Sequence, residues 1–290
     1  MLEFWKQQVK EFKSDFECPT YTKEKATLIL KSLELAVDNK KPWSMIRMGD
    51  LEADFIGYKR VDLGKNNATL LKLFSEHLGM NVNSLTEQKF YNYREEFTEY
   101  FINSTIPASQ WRSPNKDWSI QACKVIKFLG DEFYNRICHV DCVFAYEIVD
   151  RGLVFPLLEN RKVILIGHPA ENLKKCLEDL SWRQAHRFIG VGDNIQEIHT
   201  IQMQHDLKGT SGNRIEEYWK QIVDKDFDIA LIAGSVPGKI LGGRIKEQLG
   251  KVVLDLGYGL QQVAMTPNVI CPINQKGRRG FKKLFTGRSW

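Results

Sequence analysis

Long apolar runs, a dense cysteine framework and the common phosphate-binding signatures are all missing from this chain. No stretch approaches the roughly 18 consecutive apolar residues that a membrane-spanning helix needs. Its six cysteines, Cys18, Cys123, Cys138, Cys142, Cys176 and Cys271, are scattered through 290 residues. Such usage suits reduced thiols and excludes a small disulfide-stapled fold. The opening residues, MLEFWKQQVKEFKSDFE, are amphipathic and charged and carry no apolar signal core, so a cytoplasmic protein is expected. There is no G-x-x-x-x-G-K-[ST] loop and no G-x-S-x-G elbow. Gly190 and Gly192 form a G-x-G, but Ile195 stands where a dinucleotide fingerprint has its third glycine. The Cys138-His139-Val140-Asp141-Cys142 segment offers zinc-type ligands, yet Cys142 opens an apolar run of the kind that buries thiols in a core.

Acidic residues are absent from one end of the chain. From Asn274 to Trp290 there are six cations, Lys276, Arg278, Arg279, Lys282, Lys283 and Arg288, and no acid. The net charge is +5, so removing these six leaves the rest of the chain at −1. That near-neutral body argues against nucleic acid as a partner. Phe281, Leu284, Phe285 and Trp290 interleave with the tail's cations, a mixture suited to an anionic lipid surface. A solvated, unstructured terminus accounts for the same composition. The division expected is one domain over 1–273 and a basic, aromatic-containing tail over 274–290.

Two helical patterns open the chain, about Leu2 to Phe16 and Thr22 to Asp38, and Pro42 then precedes a strand over Trp43 to Met48. The stretch from about Asn67 to Asn103 reads as helical with a break near Asn81 to Ser84. Its aromatic second half, LTEQKFYNYREEFTEYF, is a candidate wall or partner surface. Pro107 to Asp117 reads as loop, and a helix is expected through Ser119 to Asn135. Beyond Asp141 come five short Val- and Ile-rich runs, CVFAYEI, KVILIGH, RFIGVGD, IALIAGS and KVVLDLGY. Helical stretches such as AENLKKCLEDL, RIEEYWKQIV and PGKILGGRIKEQL separate most of them. Continuous apolar strands alternating with helices predict an α/β, Rossmann-like, doubly wound and mainly parallel sheet, here with helical additions at the N-terminus.

Five strand candidates end in glycine followed by a polar or aromatic residue: Gly49-Asp50, Gly167-His168, Gly192-Asp193, Gly234-Ser235 and Gly257-Tyr258. Ligands of open α/β sheets bind at the carboxyl ends of strands, where glycine lets the backbone approach them closely. The sharpest local feature is Arg47-Met48-Gly49-Asp50-Leu51-Glu52. Two carboxylates at i and i+2 are oxygen ligands suited to Mg²⁺ or Mn²⁺, and Arg47 adds a fork of donors for phosphate. On spacing alone, Asp50 equally reads as a helix cap with Glu52 in the first turn. His168 is a candidate contact for phosphate or sugar, and Ser235 opens a helix whose N–H groups suit phosphate. Asp193 is a candidate general base or ribose ligand, or again a cap. Gly238, Gly242 and Gly243 fit close helix packing, and Glu147 and Asp150 are possible acceptor-side bases.

The Arg47–Glu52 stretch, R-M-G-D-L-E, resembles the R-[FY]-G-D-G-E segment of the GT-D type glycosyltransferases. The segments FDIALIAGS and LGKVVLDLGYG are similar to that family's C-terminal strand pair with its D-I-G segment, and with KVILIGHPAENL the resemblance spans about Ser44 to Leu260. It implies a Rossmann-like fold, a Mn²⁺ or Mg²⁺ ion bound by Asp50 and Glu52, and a UDP-sugar donor bound with help from Arg47. Asp255 and Gly257 fall on the aspartate and glycine of the D-I-G segment. Leu51 replaces the family's middle glycine but leaves both carboxylates, and Tyr258 stands where many members carry histidine.

The expected function is metal-dependent transfer of a hexose from a nucleotide-sugar to a glycan, glycoprotein or lipid-linked acceptor. Asp50, Glu52 and Asp193 are the catalytic candidates. Arg47, Gly49, Gly167, His168, Gly234, Ser235, Asp255, Gly257 and Tyr258 are the candidates for donor binding. Two other readings use the same residues: a metal-dependent phosphoesterase or nucleotidyl enzyme, and a non-catalytic nucleotide-binding subunit of a glycosylation complex. Peripheral membrane contact through the tail and self-association as a homo-oligomer both stay open.

Overall fold

The computed structural model describes residues 23–81, 83–109, 116–130, 140–150, 154–179, 195–204 and 211–265. Within them, helix α1 (Lys23–Asp38) leads into β1 (Trp43–Met48), followed by α2 (Asp50–Gly57), α3 (Asn67–Leu78) and α4 (Glu87–Ile102). Next come β2 (Ile106–Ser109), α5 (Lys116–Leu129), β3 (Val140–Asp141) and α6 (Val143–Asp150). The second half runs β4 (Lys162–Gly167), α7 (Ala170–Glu178), β5 (Glu197–Gln202), α8 (Ile215–Val223), β6 (Ile229–Ala233), α9 (Ser235–Leu249), β7 (Val252–Asp255) and α10 (Tyr258–Met265). The seven strands form one sheet in the order β3-β2-β1-β7-β6-β4-β5. Every pairing is parallel, with Met45 of β1 opposite Ile106 of β2 on one side and Leu254 of β7 on the other.

Alternation along the central strands gives each face of the sheet its own core. Ile46, Met48, Ile164, Ile166, Ala230, Ile232 and Val253 pack with residues of α2, α3, α4, α5, α8 and α9. Met45, Val163, Leu165, Ile229, Leu231, Val252 and Leu254 pack with α1, α6, α7 and α10. The expected doubly wound parallel architecture is present. Among the described residues no helix is long and apolar enough to cross a membrane.

Several local expectations change. CVFAYEI is not a strand: Val143–Asp150 is helical, and only Val140–Asp141 pairs in the sheet. Its buried members Phe144, Ala145, Ile148 and Val149 recur at helical spacing, as befits a helix pressed on one side to the sheet. Glu147 and Asp150 therefore belong to α6 rather than to a strand end. The Pro107–Asp117 segment, expected as loop, contributes β2, which lies between β1 and β3 and pairs Pro107 with Ile46. A further strand, β5, is built from the polar segment EIHTIQ at the sheet edge. The aromatic helix α4 is no partner surface along its Phe90, Tyr93, Phe97, Phe101 face, which is buried. Phe55 meets Phe74 and Phe90 edge to face there, at centroid distances of 5.5 and 5.2 Å. The helix expected over 2–16, the strand expected over RFIGVGD and the basic tail lie outside the described residues.

Candidate functional site

Four of the five glycine-ended strands are described, β1, β7, β6 and β4, and they are consecutive in the sheet. Gly49, Gly257, Gly234 and Gly167 therefore lie in a row along the carboxyl edge. The fifth pair, Gly192-Asp193, lies outside the described residues. Beyond β1 the chain turns into α2 on one face of the sheet, whereas beyond β7 it turns into α10 on the other. Adjacent parallel strands whose connections leave to opposite faces open a crevice between them, the usual ligand position in such sheets. Arg47 and Gly49 form one lip of that crevice and Asp255 and Gly257 the other.

A buried ionic cluster lies between these lips. Asp255 is 1% exposed; its Oδ2 accepts a hydrogen bond from the Arg47 backbone N–H at 3.0 Å, and its Oδ1 faces Arg47 Nη2 at 3.4 Å. One carboxylate thus fixes both the backbone and the guanidinium of Arg47. On the far side, Lys239 Nζ approaches Asp255 Oδ2 to 3.8 Å and donates to Glu52 Oε1. Lys239 is 2% exposed, and the Glu52 side chain 13%. Burial pushes the Glu52 carboxyl up, but the Lys239 ammonium, supported by Arg47, outweighs that and holds it below the ordinary carboxylate value. Glu52 is thus held as the anion.

Local geometry explains this placement. Helix α2 takes Gly49 as its N-cap with no side-chain capping bond, so Asp50 is the first helical residue and not the cap. Glu52 follows in the first turn, on the side of the helix facing α9. Helix α9 runs between β1, β7 and α4, with Val236 to Ile245 all buried. Its glycines permit that depth: a Cβ on Gly242 would stand 2.6 Å from Ile232 Cδ1, and one on Gly243 would stand 2.0 Å from Tyr100 Cγ. The packing role expected for these glycines is what they perform. Lys239, one turn beyond Ser235, is carried to the crevice by this central helix.

The remaining candidates lie further along the same edge. Ser235 opens α9 with φ of 47°, a left-handed conformation rarely taken by a residue with a Cβ, and its Oγ donates to the His77 carbonyl at 3.0 Å. Gly167, at φ of 146°, lies so near β6 that a Cβ would meet the Ala233 carbonyl oxygen at 2.2 Å. His168 follows it, its backbone carbonyl accepting from Gln202. Tyr258 begins α10 and is 47% exposed beside Gly257. Contacts therefore join Arg47, Asp255 and Gly257 directly, with Glu52 linked to them through Lys239, while Gly167, His168, Gly234 and Ser235 belong to the neighbouring strand ends β4 and β6. Among the described residues no three His, Cys, Asp or Glu side chains converge as a metal cage. A hollow lined by Val37, Lys40, Lys41, Asp228 and Lys251 lies at the opposite, amino-terminal edge of the sheet, away from these groups.

Lys239 is the residue that sequence reasoning misses. The signal available was its neighbourhood, VPGKILGG, a helix with no polar face in which a lone lysine has to be buried with acidic partners.

A doubly wound parallel sheet with charged groups gathered at its switch point defines an α/β protein of Rossmann-like architecture. The family model of the GT-D fold-like domain matches residues 24–263, and the chain belongs to that family. No curated protein and no solved structure matches it. The family carries a glycosyltransferase-like fold, in keeping with the resemblance of the R-M-G-D-L-E stretch.

Proposed function

We propose that this protein is a glycosyltransferase that moves a hexose from a nucleotide-sugar, a UDP-sugar by family resemblance, to a carbohydrate acceptor. The observation that carries the reading is the Arg47–Asp255–Lys239–Glu52 cluster at the β1/β7 switch point of a GT-D-like fold. Arg47, braced by Asp255, presents a guanidinium where a diphosphate would enter. Gly257 leaves room for the Arg47 guanidinium that would meet the ligand, and Gly49, Gly234, Ser235, Gly167 and His168 extend the donor surface along the strand ends. Tyr258 offers an exposed ring for a base or sugar to stack on.

The donor set suits a divalent ion of the Mg²⁺ or Mn²⁺ kind. Lys239 engages one Glu52 oxygen, Oε1, and the family resemblance adds Asp50, two residues earlier in the sequence, as the second carboxylate ligand. Such ions are commonly held by one or two carboxylates together with substrate phosphates and water, rather than by an all-protein cage. When bound, the ion supplies positive charge against the diphosphate that departs from the sugar. Asp193 stays the candidate base for the acceptor hydroxyl. An acceptor on a lipid carrier, reached from the cytoplasmic face, would give the basic 274–290 segment a role. Deleting it should then weaken binding to anionic liposomes.

The test is Mn²⁺-dependent release of UDP across a panel of UDP-sugars, comparing the intact protein with Asp50→Ala and Glu52→Ala. Turnover of one donor, lost in both folded variants, is the result expected. Turnover of a phosphorylated substrate without a sugar acceptor would favour phosphoesterase chemistry. UDP binding without turnover on any acceptor would favour a binding subunit, and absence of UDP binding would refute the proposal.

A further inference from the structure

We propose that Lys239 is a built-in competitor for the divalent ion, so that metal and nucleotide diphosphate load together and neither site is complete alone. The inference rests on the reading of Asp50 and Glu52 as ion ligands and concerns what controls their occupancy. It starts from a count of charges. Arg47 and Lys239 face Glu52 and Asp255, so these four described groups balance at two of each sign. Even with the Asp50 carboxylate that the metal reading adds, the sum is a single negative charge, too little to hold a dication firmly, since the affinity of oxygen-ligand sites grows with the number of carboxylates.

Geometry makes the competition direct. The Lys239 ammonium is 2% exposed, donates to Glu52 Oε1 and lies 3.8 Å from Asp255 Oδ2. It fills the position between two carboxylates where a cation is most favoured. An ion reaching Glu52 meets a buried ammonium across one carboxylate, in surroundings where water screens little. A diphosphate reverses this balance, because its negative charge compensates both the ion and the ammonium. Ion and nucleotide then raise each other's affinity by the same factor, as linkage requires. Lys239 sits on the buried stretch of helix α9, which Gly242 and Gly243 bring against Ile232 and Tyr100, so the competing ammonium is part of the helix packing.

The experiment is Mn²⁺ binding, followed by calorimetry or by the electron paramagnetic resonance of free Mn²⁺, with and without saturating UDP. The full chain is compared with Lys239→Met and Lys239→Arg. Wild type should bind Mn²⁺ weakly alone and at least tenfold more tightly with UDP. Lys239→Met should bind Mn²⁺ alone at least tenfold more tightly than wild type, with a smaller gain from UDP, whereas Lys239→Arg should keep the wild-type pattern. Because Lys239→Met strips compensation from two buried carboxylates, the same comparison is made in an Asp255→Asn background, where one of those charges is gone. Unchanged or weaker Mn²⁺ binding in the folded methionine variants, with wild type still showing UDP-coupled binding, would overturn the role of Lys239 and leave the ion site standing. No Mn²⁺ binding by wild type even with UDP would overturn the ion site and this inference with it.

Discussion

Gly257 and Arg47 are in such close contact that a Cβ at position 257 would stand 1.6 Å from Arg47 Nη2. The glycine's φ of 47° independently disfavours any side chain. The two constraints coincide at the loop after β7, so the room for Arg47 is made by the backbone that also holds Asp255. Gly257→Ala should therefore act on ligand binding more than on folding. The left-handed conformation costs about 1–2 kcal/mol for alanine, equivalent to a fall in melting temperature of roughly 2–8 °C for a domain of this size. UDP affinity should fall by at least about tenfold, one hydrogen-bonded contact's worth, because the guanidinium has to leave its place on Asp255. Calorimetric titration with UDP checks it; wild-type affinity in the folded variant would remove Arg47 from the donor site.

A second ionic network lies away from the crevice and should matter for stability alone. Arg244 of α9 donates through Nε and Nη2 to both oxygens of Glu96 on α4, and through Nη1 and Nη2 to both oxygens of Glu216 on α8. Three helices are joined through one guanidinium that is 8% exposed. Arg244→Met leaves two carboxylates facing each other without a cation. Since the Glu216 side chain is 50% exposed, the cost should fall short of that of a fully buried pair, about 2–3 kcal/mol. Arg244→Lys should recover only a minor part, because an ammonium cannot fork to two carboxylates. Denaturant unfolding of the three proteins measures both differences.

Much of this architecture is legible in the sequence, and the exceptions have physical causes. β1, β4 and the β6-α9-β7 unit are apolar runs closed by glycine, and each stands where the pattern places it. β2 is hidden because it is four residues long and carries Pro107, whose missing N–H usually argues against an interior strand. β5 is hidden because an edge strand tolerates the polar residues of EIHTIQ. CVFAYEI misleads in the opposite direction, since a short continuous apolar run suits a buried strand and a buried helix equally. For the site, Arg47, Glu52, Asp255 and Gly257 are foreshadowed by motif, whereas Lys239 is not. Its role depends on α9 crossing behind β1 and β7, a tertiary fact that no local spacing expresses.

Asp54 supplies a pH-dependent test. Its carboxyl is fully buried on α2, with Oδ2 paired to Lys65 at 2.5 Å and Oδ1 lacking a hydrogen-bond partner. Burial raises its pKa above the ordinary aspartate value, and Lys65 only partly offsets this. A carboxyl whose folded pKa is raised contributes stability below its unfolded pKa and loses it as pH rises through the folded value. Asp54→Asn mimics the protonated form, and Lys65, 30% exposed, still reaches water. The variant should therefore be more stable than wild type at pH 7.5. That advantage should shrink as pH falls through the folded pKa and vanish below about 3.9, the unfolded value. Melting curves across this range decide it; an advantage that grows toward acid would reverse the assignment.

Gly243 and Tyr100 offer a test of how α9 gains its depth. The nearest atoms to a Cβ at position 243 are Tyr100 Cγ, Cδ2 and Cβ, at 2.0, 2.1 and 2.5 Å. The obstruction includes the base of the tyrosine side chain, so a ring rotation alone does not relieve it. Gly243→Ala should cost about 1–3 kcal/mol through overpacking, despite alanine's helix propensity, which favours it over glycine by about 1 kcal/mol. In a Tyr100→Gly background, which removes the Cβ as well as the ring, the same substitution loses its obstacle and keeps its propensity gain, so its effect should change sign to a stabilisation of up to about 1 kcal/mol. Comparing the four proteins by denaturant unfolding isolates the coupling. If Gly243→Ala were equally destabilising with and without the ring, the close approach of α9 to α4 would have to be set by other contacts, and the burial of Lys239 on the same helix would lose this part of its explanation.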